Sequence, residues 1–202
     1  VAVGADGVAQ NGQAEAGAVY LFEATETGWA QTELLTPENP TAQGYFGART
    51  ALTENGTRLI ASAYGDDRAG ENAGAVFVFD RDESGNWTQT AALTASDAAA
   101  NDYFGSNIGV DDDTIVCGAF GDDDSGTDAG AAYVFTPTDS GWAETAKLTA
   151  ADGSDQDFFG WQTAMHDGTI LVGAYRDDER ATDAGAAYVY QRQESGWKEV
   201  TK

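Results

Sequence analysis

The chain has 202 residues, with 10 Lys and Arg against 34 Asp and Glu, and a formal net charge of −24. That excess argues against a phosphate-binding surface, because nucleic-acid affinity comes largely from Lys and Arg displacing condensed counterions. It disfavours docking on anionic lipid for the same reason, while 42% hydrophobic residues and 11% aromatics argue against disorder.

The chain opens on a short apolar strand at residues 1–5. An acidic, Gly-containing loop leads to a strand at 18–22, and Trp29 opens another. From there one order recurs. Phe46-Gly47 starts a first strand, Asn55-Gly56 turns it, 59–63 forms a second, 75–79 a third, and Trp87 opens a fourth. Phe104-Gly105, a turn at Asp111 to Asp113, strands at 115–119 and 131–135, and Trp142 repeat this order. Phe159-Gly160, Asp167-Gly168, strands at 170–174 and 186–190, and Trp197 repeat it again. The first strand is expected to run directly from the Phe-Gly, as over 104–110. No stretch approaches the roughly 18 apolar residues of a membrane span, and no signal peptide opens the chain. Val1 is not an initiator Met, so a mature or trimmed segment is expected.

Residues 104–147 align with 159–202 without a gap, and 22 of those 44 positions are identical. This is a tandem repeat, with units at 1–45, 46–103, 104–158 and 159–202. The third strand of each unit is apolar at alternate positions on both faces (Tyr133 and Phe135, Ala132 and Val134), so both faces are covered. The fourth is mixed polar, as an outer edge should be. Four-stranded units of this length in tandem predict an all-β fold, a β-propeller of radially stacked blades.

Phe-Gly followed 12–14 residues later by Gly-Ala, as in Phe104-Gly105…Gly118-Ala119 and Phe159-Gly160…Gly173-Ala174, resembles the FG-GAP repeat of integrin-α-type propellers, in its bacterial and archaeal version. Phe46-Gly47…Ser62-Ala63 is a weaker copy and Gly4-Ala5 a half copy. Integrin-type repeats often carry a calcium loop between strands one and two. Here that connection is a tight hairpin, so that site is not carried over. Three nearly complete blades and one lacking its first strand are expected. The resemblance implies a segment of a larger, seven-bladed propeller that neighbouring blades or chains complete.

Candidate sites follow from the loops between strands two and three. They hold Asp66 and Asp67, then Asp122, Asp123, Asp124 and Asp128, then Asp177, Asp178 and Asp183. Loops between blades add Asp97, Asp102, Asp152, Asp155 and Asp157, and a four-stranded meander brings both loop classes to one face. Carboxylates so placed suit Ca²⁺, Mg²⁺ or Na⁺, or a cationic partner. They equally suit Asx turns and a solvating coat. A glycosidase-like carboxylate pair is disfavoured, because a catalytic pair is a single departure from an array and these recur. His166 stands where Asp111 does in the preceding repeat and reads as an exposed variant. With one His and one Cys (Cys117, read as buried), neither a zinc site nor a His-based triad can be assembled within the chain. Trp161, at the position of Ser106, is out of register with the repeating aromatics. Asn55-Gly-Thr57 and Asn86-Trp-Thr88 are glycosylation sequons, usable if the protein is exported.

Heavy Asp, many small residues and three Lys resemble the composition of halophilic proteins. Molar salt shrinks the Debye length to about 3 Å and screens self-repulsion. The expectation is a non-enzymatic propeller module of a halophilic organism, extracellular or on a cell or virion surface. It requires no cofactor and meets a protein or glycan through the loop face. An architectural module of a surface layer, filament or viral appendage is the alternative. A hydrolase or lyase with its active site outside this segment comes third.

Overall fold

The computed structural model describes residues 1–111 and 113–202; within the turn at Asp111 to Asp113, Asp112 lies outside the described residues. Four antiparallel sheets follow one another along the chain. The first holds β1 (Ala2–Ala5), β2 (Ala18–Thr25) and β3 (Gly28–Leu35). The second holds β4 (Thr50–Leu52), β5 (Arg58–Ala63), β6 (Ala75–Arg81) and β7 (Trp87–Leu93). The third holds β8 (Ile108–Asp111), β9 (Thr114–Ala119), β10 (Ala131–Thr138) and β11 (Gly141–Leu148). The fourth holds β12 (Phe159–His166), β13 (Thr169–Ala174), β14 (Ala186–Gln193) and β15 (Gly196–Thr201). Each is a meander whose chain neighbours are hydrogen-bonded, and no helix occurs among the described residues. These are four successive propeller blades, the first lacking one strand.

The two faces of a blade differ, and the difference sets the stacking. One face is aromatic and the other aliphatic. Phe77 and Phe79 of blade two pack on Val19 and Leu21 of blade one. Tyr133 and Phe135 of blade three pack on Val76 and Val78 of blade two, and Tyr188 and Tyr190 of blade four pack on Ala132 and Val134 of blade three. The cores therefore lie between blades, which is why the third strands are apolar on both sides. The aliphatic face of blade four has no such cover among the described residues. Leu171 is 46% exposed there, whereas the equivalent Ile60 and Val116 are fully buried.

The Phe-Gly dipeptides behave differently from the expectation that each begins a strand. In blades two and three the first strand starts later, at Thr50 and Ile108; only in blade four does it start at the Phe, at Phe159. Phe46, Phe104 and Phe159 each form a parallel bridge to the preceding blade, at Gly17, Gly74 and Gly130. Each Phe N–H donates to the carbonyl of Ala16, Ala73 or Ala129, at 3.0, 2.9 and 2.9 Å. The dipeptide is a peg set into the neighbouring blade. Its socket demands glycine: Gly130 has φ +85°, and a Cβ there would collide with the Phe159 carbonyl.

Every outer strand pair is bulged at one equivalent place, beside Leu21, Val78, Val134 and Val189. In three blades the bulged residue is a Thr (Thr32, Thr90, Thr145) whose hydroxyl donates to the carbonyl of Leu21, Val78 or Val134. A bulge held this way increases the local twist of the outer edge.

Candidate functional site

The paired aspartates divide their work. The first of each pair, Asp66, Asp122 and Asp177, is buried. The second, Asp67, Asp123 and Asp178, faces outward and accepts the backbone N–H of Asn72, Asp128 and Asp183, at 2.8, 2.7 and 2.6 Å. Those three acceptor-bound residues all have φ near +50°, a left-handed conformation that Asn and Asp tolerate best. Asp128 and Asp183 thus sit where the loop's backbone needs such a residue.

The buried members bind cations that the chain itself supplies. Lys147 Nζ lies 2.8 Å from Asp97, 2.8 Å from Asp122 and 2.6 Å from Asp124. Lys202 Nζ lies 2.6 Å from Asp152, 2.7 Å from Asp177 and 2.9 Å from Glu179. Three ammonium protons meet three carboxylates in each case. Below them, the Tyr133 hydroxyl contacts Asp97 and Asp122 at 2.8 and 2.6 Å, and Tyr188 contacts Asp152 and Asp177 at 2.8 Å each. Blade two has Ala92 where blades three and four have lysine. There Arg68, from the loop itself, forks Asp66 through Nε and Nη2 at 2.7 and 3.1 Å. Its guanidinium lies 4.5 Å over Phe77, as Lys147 lies over Tyr133. The cation keeps its place while its sequence position changes.

Burial alone would raise the Asp97 and Asp177 carboxyls. Hydrogen bonds from Lys147 and Tyr133, and from Lys202 and Tyr188, outweigh burial and hold both below the ordinary carboxylate range. The Lys202 hydrogen bond chiefly lowers Asp152. Asp102 goes the other way, pushed up to about 6 by burial and the nearby Asp122 and Asp123 charges, against the N–H of Ala99. Burial likewise raises Asp157 in blade four. A folded-state proton affinity above the unfolded one means that stability is lost as pH rises from about 4 through about 6. Asp102→Asn is therefore expected to melt higher than wild type at neutral pH. The gap should close below about pH 4, read by thermal unfolding across that range; an equal gap at all pH values would contradict the assignment.

Of the nine aspartates singled out in the sequence, Asp122 and Asp124 meet at one point, with Asp97 completing the group: their oxygens lie within 4.8 Å of one another. Asp66 and Asp177 hold the equivalent places in blades two and four. Asp67, Asp123, Asp128, Asp178 and Asp183 serve the loop backbone. Three clustered carboxylates suit a divalent cation, but the Lys147 ammonium lies among them, and a metal would have to displace it. Lys147 and Lys202 carried a readable signal in the sequence, since two of only three lysines occupy the same repeat position. Asn55 and Asn86 are exposed on turns. Asn55 Oδ1 accepts from the Thr57 N–H and the Thr53 and Thr57 hydroxyls. Asn86 is bound to Asp82.

Nearer the propeller axis on the same face runs a ladder of rings. Tyr45 stacks on Tyr64 at 5.1 Å, and Tyr103 on Phe120 at 5.0 Å. Phe158 stacks on Tyr175 at 5.5 Å, and Trp161 lies 4.7 Å from Phe120 and 4.6 Å from Tyr175. Tyr45, Tyr103 and Phe158 all have positive φ, immediately before the Phe-Gly pegs. Beside the ladder, residues of all four blades (Asp6, Arg49, Tyr64, Ser106, Phe120 and Trp161) frame a cleft of about 300 Å³. A larger cleft of about 500 Å³ lies on the hairpin face, where Arg58 is already paired with Asp80 and Asp113.

Tandem blades pegged together by Phe-Gly, with an acidic loop face bridged by the chain's own cations, define a β-propeller repeat protein. Comparison with models of protein families matches the FG-GAP repeat at residues 29–79, 87–135 and 142–190, and the chain belongs to that family. Each match begins on the outer strand of one blade and ends on the third strand of the next, so the family unit is the joint between blades. No curated protein matches the chain. Among solved structures it is similar to the Pyrococcus horikoshii acylaminoacyl peptidase (orthorhombic crystal form), at 11% identity and a TM-score of 0.43. That match covers 92% of this chain and 30% of the peptidase, so the chain spans less than a third of that protein's length.

Proposed function

We propose that the chain is a non-enzymatic binding module that works at high ionic strength, outside the cell or on a cell or virion surface, and presents its loop face to a protein or glycan. The recurrence of the acidic clusters carries this reading. A raised Asp102 beside a lowered Asp97 has the polarity of an acid–base pair, but Asp157 and Asp152 reproduce it in blade four. Asp102 is also buried and bonded to the Ala99 N–H. An array that repeats its carboxylates is held by them and does not single out one pair for chemistry.

The excess negative charge supports the rest: it repels nucleic acid and anionic lipid, and calls for salt to screen it. No cofactor is required, and Ca²⁺, Mg²⁺ or Na⁺ acts by screening and by competing with the lysines. The open aliphatic face at Leu171 supports an architectural role beside the binding one, in which neighbouring blades or chains complete the propeller.

The midpoint of thermal unfolding is expected to rise markedly between low and multimolar KCl; a flat response would sink the salt reading. The binding reading is tested by adherence of the protein, in multimolar KCl, to immobilised glycans and surface proteins, alongside turnover assays on esters, peptides and glycosides. Adherence to a defined panel member without turnover supports it. Turnover, or no adherence to any member, contradicts it.

A further inference from the structure

We propose that the axial cleft framed by Asp6, Arg49, Tyr64, Ser106, Phe120 and Trp161 is a binding site for a neutral saccharide; this rests on the binding-module reading and names its site. The starting observation is a departure from the repeat. After each Phe-Gly stands Ala48, Ser106 or Trp161, and only the last puts a ring into the cleft. The adjoining peg phenylalanines Phe46, Phe104 and Phe159 are fully buried between blades, whereas Trp161 is 38% exposed. It adds a broad face to the Phe120 and Tyr175 rings, 4.7 and 4.6 Å away.

Polar groups around that face are not consumed within the chain. Among the described residues, the Arg49 guanidinium donates to its neighbour's carbonyl, Ala48, at 2.9 Å and is paired with no carboxylate. The Asp6 carboxylate, the Tyr64 hydroxyl and the Trp161 indole N–H have no hydrogen-bond partner among the described residues, although all three border the same opening. Ser106 is different: its hydroxyl donates to the Gly118 carbonyl at 3.2 Å, so it forms wall.

These groups choose among ligand classes. A cationic ligand meets Arg49. The outer end of the ladder already holds a cation, since the Arg176 guanidinium lies 5.2 Å over Phe158 and 5.3 Å over Tyr175. An anionic ligand meets Asp6 within the field of a strongly acidic protein. A purely apolar ligand would bury the Arg49 and Asp6 charges without partners, at a desolvation cost. A neutral pyranose satisfies all of them. Its polarised C–H face lies against the negative faces of Trp161 and Phe120. Its vicinal hydroxyls accept from Arg49 and the indole N–H, and donate to Asp6. A volume of about 300 Å³ is at the small end of ligand pockets, about 300–1,000 Å³, and fits one or two sugar rings.

The test uses methyl glycosides of galactose, mannose and N-acetylglucosamine, with a basic peptide as competitor, titrated in multimolar KCl. The readout is the five indole N–H resonances, the Trp161 signal being the one lost in Trp161→Ser. That substitution installs the residue of the neighbouring repeat, and its thermal midpoint reports that the fold is kept. One glycoside is expected to move the Trp161 signal, and Trp161→Ser and Arg49→Gln each to weaken its binding about tenfold. Three results would overturn the proposal. One is that no glycoside moves that signal. Another is that the basic peptide moves it in their place. The third is a glycoside that binds with the Trp161 signal still and with equal affinity for both variants; this last moves the site elsewhere and leaves the module reading intact. The module reading itself falls to turnover, or to the failure of every immobilised glycan and protein to bind.

Discussion

Phe104→Ala is expected to cost about 3–5 kcal/mol of folding stability, the range for deleting a fully buried aromatic side chain. Phe104 is completely buried and meets Tyr133 and Phe135 edge-on at 5.7 and 5.8 Å. Its backbone N–H is bound into the preceding blade through Ala73. The cavity cannot collapse easily, because one wall is the rigid third strand of blade two and the other that of blade three. Equilibrium denaturation in multimolar KCl checks it. Trp29→Ala, at an aromatic that recurs in sequence but is 62% exposed on blade one, serves as the contrast and should cost under about 1 kcal/mol. A Phe104→Ala cost as small as that of Trp29→Ala would mean that the blades are not locked by their Phe-Gly pegs.

Lys147→Met comes next, with an expected cost of about 2–3 kcal/mol. The figure lies between exposed ion pairs, at about 0–1, and buried pairs broken on one side, at about 3–5. The Lys147 side chain is 21% exposed and the Asp122 side chain 4%, so removing the ammonium leaves Asp122 desolvated beside two like charges. Methionine keeps the apolar stem over Tyr133, so charge is what is lost. The pH dependence has a definite sign. Lys147 holds the Asp97 carboxyl below its ordinary value. The stability that Asp97 contributes is therefore full above about pH 4 and disappears as pH falls further. The difference between wild type and Lys147→Met should shrink over that acid range. Calcium should then raise the melting midpoint of Lys147→Met more than that of wild type, because only the variant offers the three carboxylates together without a competing ammonium. Thermal scans at several pH values, with and without calcium, report both effects.

Much of this architecture was legible in the sequence because a propeller repeats its instructions. Strand positions followed from alternation, and the turns from Asn-Gly and Asp-Gly. The doubly apolar third strand implied that blades cover one another. What stayed hidden was what repetition does not encode. The Phe-Gly reads as a strand start, since aromatics favour strands, but a parallel bridge to the previous blade takes its backbone first. The aspartate pairs read as one acidic class, yet their members separate into a buried cation-binding acid and an outward loop-closing acid. That distinction depends on the left-handed residue five positions on. Arg68 could not be matched to Lys147 and Lys202 by alignment, because one comes from a loop and the others from outer strands. The axial cleft draws on all four blades, so no local window of sequence contains it. Its one outward sign was Trp161, an aromatic off the repeat.

The molecule divides into recurring groups that hold the blades and departures from the repeat that are free to bind. Calorimetric unfolding of Trp161→Ser and Lys147→Met beside wild type, in one high-salt buffer, tests that division directly. It predicts that Lys147→Met melts several degrees lower, while Trp161→Ser costs less than about 1 kcal/mol despite losing a large aromatic side chain. A Trp161→Ser midpoint depressed as far as that of Lys147→Met would show that Trp161 is part of the packing, and would contradict the division.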